Sequence, residues 1–282
     1  MMRMNRTQRS AFTLVELMMV ITIIALLAAL LLPAIAKVRN YVQRGAASSE
    51  INQLAAACTK FHSDWGFYPP STFTIPTNIN QPGFAMLKLK YPRWNPATDA
   101  TGTIIEPSIL PGAGTVLNGN QSLVYFLGGP DGTGWANDGP TAPSPTANNP
   151  MGAYFNFESS RLVPGNTVGF PNTRSAYIDQ FGSPYAYFAV ERATGNYNPS
   201  VLMNWKGTTA KAISDNGKYL NPKSIQIISA GENGADDSLP PAERGFGNGT
   251  WTPGSGSYGM KSGGVDDFGN FNGGAPLGRR GE

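Results

Sequence analysis

One cysteine and one histidine serve all 282 residues of this chain. Cys58 has no second cysteine to join in an intrachain disulfide, and Cys58 with His62 falls short of the ligands a Cys/His zinc site requires. A Ser-His-Asp triad would have to use His62, which falls on an expected helix and reads instead as a surface or packing residue. Cys58, next to Ala55, Ala56 and Ala57, reads as a small apolar contact. Charge is also scarce, at 14% of residues with a net +3. Arg3, Arg6 and Arg9 are the only charged residues among the first eleven; without them 21 basic side chains fall to 18, equal to the 18 acidic ones. No global basic field supports a nucleic-acid partner.

What the chain does have is an apolar run, FTLVELMMVITIIALLAALLLPAI, from Phe12 to Ile35. As a helix rising ~1.5 Å per residue, its 24 residues reach about 36 Å. That is enough to cross a hydrocarbon core roughly 30 Å thick. Leu, Ile, Ala and Met favour the helix, and no glycine interrupts it. Two residues are out of place in a plain anchor. Glu16 sets a carboxylate in the run at a cost of about 3 kcal/mol, so it needs either a partner or a wet position near the interface. Pro33 removes a backbone donor and marks either the end of the span or a kink. Ala34 and Ala36 imitate a secretory A-x-A site, but cutting there would leave Glu16 unexplained. The leader arginines favour a cytoplasmic N-terminus, whereas Lys37, Arg39 and Arg44 follow the span, so charge counting alone leaves the orientation open.

A basic leader, a small residue, then F-T-L-x-E and a long apolar run resembles the class III signal of type IV pilins and pseudopilins. The resemblance implies cleavage between Ala11 and Phe12 by a prepilin peptidase, with N-methylation of Phe12. It also implies that Glu16 pairs with the Phe12 ammonium of a neighbouring copy, and that Pro33 falls where pilins often carry a proline. Ala11 stands where the family usually has glycine, and slower processing is the most this implies.

Beyond Pro33, Val38, Tyr41, Val42, Ile51, Leu54, Cys58, Phe61 and Trp65 step by three or four residues and mark one apolar stripe. Arg39, Gln43, Arg44, Glu50, Gln53 and Lys60 are expected mostly off it. A helix from Phe12 to about Asp64 is roughly 80 Å long; two helices with a break between Pro33 and Gly45 are the alternative. Gly66 suits the left-handed position that ends a helix. The segment CTKFHSDWGFYPPS resembles the helix exit of type II secretion pseudopilins, with Phe67 and Tyr68 expected over the head-group end of the stalk.

The rest suggests a small sheet with long loops. A short helix is expected near Phe84–Leu89 within a loop-rich stretch from Ser71 to Asn120, and a short buried helix over Gln121–Leu127. Asp131 to Pro150 reads as an exposed loop, and its DGTGWANDG lacks the spacing of a helix-loop-helix calcium site. Tyr154–Phe157 alternates like a strand; Ala176–Val190 and Ile225–Ser229 are stronger strand signals. Asp179, Phe181, Gly182, Pro184, Tyr185 and Tyr187 match the pseudopilin pattern D-x-W/F-G-x-P-Y-x-Y. Near the C-terminus, acidic residues threaded with glycines suit a Ca²⁺ loop of oxygen ligands. The resemblance narrows the candidates to Asn233, Asp236, Asp237, Asp266 and Asp267; a solvated acidic loop is the alternative. Asn233 stands where the family has Asp, and about thirty residues separate the two halves.

The expected organisation is therefore α+β: a leader (1–11), a transmembrane and assembly helix (12–36), an amphipathic stalk (37–66) and an extracytoplasmic globular domain (67–282). The long helix packs on a small antiparallel sheet; a loop insertion is expected near 71–172 and a C-terminal loop at 229–271. The resemblance implies a non-enzymatic major pseudopilin, anchored once in the inner membrane with its N-terminus cytoplasmic. Its implied partners are copies of itself in a filament, prepilin peptidase, an inner-membrane assembly platform, minor pseudopilins and membrane lipid. A type IV pilin subunit is the nearest alternative. A membrane-tethered polysaccharide-binding module, with Trp135, Trp205 and Trp251 as stacking platforms, is the alternative of a different class.

Overall fold

A computed structural model describes residues 14–105, 110–143, 151–205, 208–215, 217–234, 246, 267–272 and 277. The fold is α+β. In chain order the elements are α1 (Leu14–Trp65), β1 (Phe73–Thr74), α2 (Pro82–Lys90), β2 (Val116–Leu117), α3 (Gly119–Gly128), β3 (Leu162–Pro164), β4 (Ser175–Tyr177), β5 (Ala186–Ala189), β6 (Met203–Trp205), β7 (Thr208–Ala210), β8 (Ser214–Asp215), β9 (Lys218–Tyr219), β10 (Ile225–Ser229) and β11 (Phe268–Gly269). The chain divides into two units, Met1–Gln43 and Arg44–Glu282.

In the first unit α1 carries the apolar run, and it continues through Pro33 and Gly45 as one helix rather than two. The Thr22 hydroxyl is satisfied within the run, donating to the Met18 carbonyl one turn back at 2.7 Å.

In the second unit, the rest of α1 buries Ile51, Leu54, Cys58, Phe61 and Trp65. The helix stops where expected: Gly66 takes φ 78° and its N–H bonds the His62 carbonyl at 2.8 Å. Phe67 does not cover a head-group end. It is buried, edge-on to Phe61 at 5.8 Å, because the exit turns it into the core. Only Tyr68 remains at the surface side, stacked on His62 at 4.3 Å.

The central sheet has the order β11-β10-β5, all antiparallel. It is covered on both faces. Tyr185, Tyr187 and Ala189 face the α1 and α3 core, while Ala186 and Phe188 face a second cluster with Val168, Phe170, Met203 and Ile213. Buried Gln226 sits among these side chains without penalty, since its amide donates to the Ile213 and Leu220 carbonyls and accepts from the Ile213 N–H.

Both short helices fall where the sequence places them. Asn118 caps α3, accepting from the Gln121 N–H at 3.1 Å. One strand expectation and one loop expectation are overturned. Tyr154–Phe157 is not a strand, because the N–H groups of Tyr154 and Phe155 both turn to the Leu127 carbonyl at the end of α3. The stretch after Asp131 is not simply an exposed loop either: Trp135 is fully buried, donates its indole N–H to the Phe126 carbonyl at 3.0 Å and bridges to Met151. Residues 144–150 lie outside the described residues.

Candidate functional site

Two places concentrate chemistry. The first is the apolar start of α1. Leu14–Leu32 has a mean hydropathy of 2.8 and no buried residue. Among the described residues it is the one helix long and apolar enough to cross a membrane. Glu16 lies in its first turn. Ala11 and Phe12 lie outside the described residues, and at Pro33 the helical backbone alone is described.

The second is a polar node in the second unit. Arg161, after α3, forms an ion pair with Glu50 of α1, with Nη1 to Oε2 at 2.7 Å and Nη2 to Oε1 as a second contact. The hydroxyls of Tyr177 and Tyr185 donate to the same carboxylate at 2.7 and 2.5 Å. The guanidinium also lies over the Tyr177 ring, 4.5 Å from its centroid. Burial alone would raise Glu50, but hydrogen bonds from Arg161, Tyr177 and Tyr185, with the guanidinium charge, hold its carboxyl below the ordinary value. Glu50 was expected off the apolar stripe; it is 8% exposed. The sequence did carry the signal. Ala47, Glu50, Leu54, Cys58 and Phe61 step by three or four, which places the acid within the stripe.

The Asp179–Tyr187 motif supplies this node. Asp179 accepts from the N–H groups of Phe181 and Ser183, both at 2.9 Å, and from the Ser229 hydroxyl at 2.5 Å. Gly182 takes φ 90° at the corner. The corner launches β5 so that Tyr185 reaches Glu50 and the Tyr187 hydroxyl reaches the Pro69 carbonyl at 2.7 Å. The motif is thus a bracket that fixes the sheet to both sides of the helix exit. Burial pushes Asp179 up to about 6, against the pull of the Ser229 hydroxyl and the turn N–H groups.

At the candidate calcium loop the register pairs Ser229 with Phe268, so Asn233 and Asp267 follow and precede paired residues at the same end of the sheet. Asp267 is buried. The turn holding Asn233 is anchored by the Trp205 indole, which donates to the Gly234 carbonyl at 3.0 Å, and by an ion pair from Arg44 to Glu232 at 2.9 Å. Asp236, Asp237 and Asp266 lie outside the described residues. Among the described residues no three His, Cys, Asp or Glu side chains group as metal ligands.

Residues 6–32 match the family model for the prokaryotic N-terminal methylation motif. The chain carries a prepilin-type N-terminal methylation motif. Over 79 residues it is 32% identical to the type II secretion system core protein G of Pseudomonas aeruginosa. That alignment covers 28% of this chain and 56% of the relative, so the chain spans about half of the relative's length. No solved structure matches the chain.

The single cysteine and histidine pack against their neighbours. Cys58 is fully buried, and burial pushes its thiol well above the ordinary value. His62 is exposed against Tyr68. Trp135 and Trp205 do not serve as stacking platforms: both are buried, at 0% and 8% exposure, and each indole N–H is satisfied by a backbone carbonyl. Trp251 lies outside the described residues.

Proposed function

We propose that this chain is a structural subunit, not an enzyme, that polymerises through its N-terminal helix into a type II secretion pseudopilus for protein export. One observation carries the reading: a matched methylation motif whose helix leaves every residue from Leu14 to Leu32 uncovered. Apolar surface gains roughly 25 cal/mol per Å² when removed from water, so this face demands lipid before assembly and neighbouring helices after it. Prepilin peptidase removes residues 1–11 and methylates Phe12. Glu16, costly in lipid, is then matched by the Phe12 ammonium of another copy. Pro33 eases the helix at the end of the span. The assembly platform and minor pseudopilins act on the anchored subunit, whose N-terminus is cytoplasmic and whose second unit is periplasmic. The supporting relative is itself named a secretion-system core protein.

The test is Glu16→Ala in cells carrying the assembly machinery. The variant should reach the membrane yet vanish from the sheared filament fraction, whereas normal polymerisation would contradict the reading.

Calcium belongs to this proposal as a stabiliser of the C-terminal loop. Asn233 would offer a neutral oxygen and Asp267 a carboxylate, with Asp236, Asp237 and Asp266 as the other candidates. A divalent cation there offsets the burial of Asp267. Calcium should raise the melting temperature of the wild type and not that of Asp267→Ala; no shift in either protein removes the metal from the account.

A further inference from the structure

An open cleft of about 670 Å³ lies between the exit of α1, helix α2 and the loop after β5. Its size falls within the usual range for ligand sites. Its floor is apolar, with Tyr68, Pro70, Met86 and Leu89, and Leu89 stays 44% exposed. A second hollow of about 330 Å³ shares Thr72, Pro82 and Met86 with the first and runs along β1. The two form one elongated groove rather than an enclosed cavity.

Both ends of the groove have unused binding capacity. The Ile75 N–H bonds the Thr115 carbonyl, and Phe73 pairs with Leu117 two residues on. Antiparallel alternation therefore turns the peptide groups of Thr72 and Thr74 away from β2, Thr74 against α2 and Thr72 toward the groove. Gly83 keeps α2 close to this edge: a Cβ there would come within 2.4 Å of the Thr74 carbonyl. At the other end Arg192 and Lys223 are exposed on the rim. Neither joins an ion pair or hydrogen bond among the described residues. The neighbouring acid, Glu191, is engaged by the Asn198 amide at 2.7 Å. Lys88 and Lys90 on α2 are spent on backbone carbonyls.

We propose that this groove binds an extended acidic peptide segment of a partner protein. The peptide backbone pairs at Thr72, beyond the part of the edge that Gly83 covers at Thr74, an apolar side chain enters between Met86 and Leu89, and a carboxylate meets Arg192 and Lys223. An elongated ligand fits an elongated groove, and the unpaired cations select its charge. Polymerisation through α1 is not required for this binding.

Full-length protein in lipid nanodiscs, panned against a phage-displayed random decapeptide library, tests the proposal. Enriched sequences should place Asp or Glu within two residues of a large apolar residue. The most enriched peptide, synthesised with a fluorescent label, should bind by anisotropy. Its Kd should rise about tenfold or more in Arg192→Glu/Lys223→Glu and in Leu89→Asp. These side chains are exposed, so circular dichroism and melting temperature should match the wild type. Enrichment no greater than on empty nanodiscs, a basic consensus, or unchanged binding by the folded variants would overturn the proposal.

Discussion

Glu50 on α1 and Arg161, 111 residues further along, hold each other in a buried ion pair completed by the hydroxyls of Tyr177 and Tyr185. The pair joins helix, loop and the Asp179 corner at one point. Removing either charge strands the other in a largely dry site, at a typical cost of about 3–5 kcal/mol. Glu50→Ala should therefore lower the urea midpoint substantially. Glu50→Gln, which keeps the acceptor oxygen, should cost less. A loss under about 1 kcal/mol for Glu50→Ala would show that the node contributes little.

Asp179 and Glu50 give the second unit opposing responses to acid. Folded Asp179, near 6 against an ordinary 3.8, binds its proton more tightly than the unfolded chain does. Folding then takes up a proton, and stability rises as pH falls through about 6 toward 3.8. Glu50 is held below its ordinary 4.5, so its contribution is present above that value and lost as pH falls below it. The melting temperature should rise as pH is lowered from about 7 to about 5 and fall at lower pH. Asp179→Asn keeps an acceptor oxygen for the turn and should flatten the upper part of that profile. An unchanged slope in the variant would rule out Asp179 as its source.

Gly119 opens α3 where the helix lies against β5. A Cβ at this position would sit 2.2 Å from the Tyr187 carbonyl oxygen, which is backbone and cannot swing aside. Gly119→Ala should destabilise the fold by about 1–3 kcal/mol in urea unfolding, despite the better helix propensity of alanine. A stabilised variant would mean that α3 and β5 separate easily.

The long helix, its glycine stop, α2, α3 and the strong strands were all legible, because each rests on local periodicity or a local breaker. Long-range partners were not. Spacing alone puts Glu50 on the buried stripe, but nothing local shows that Arg161 and two tyrosines from another segment satisfy it. Trp135 looks like a loop aromatic until the end of α3 offers it a carbonyl. Tyr154–Phe157 alternates like a strand, yet no neighbouring strand competes with the Leu127 carbonyl for its N–H groups. The Asp179 motif was found as a pattern, but its bracket role needed the positions of Pro69 and Ser229. At the N-terminus Ala11 and Phe12 lie outside the described residues, so the proposed cut rests on the motif alone.

The central claim is that the proposed removal of residues 1–11 makes the N-terminal helix ready for assembly. Intact-mass and N-terminal peptide measurement of the protein extracted from membranes of an expressing cell tests this most directly. The account predicts a chain that begins at Phe12 and carries one methyl group on its amine. A chain that keeps Met1, or one cut after Ala36 with Glu16 discarded, would contradict it.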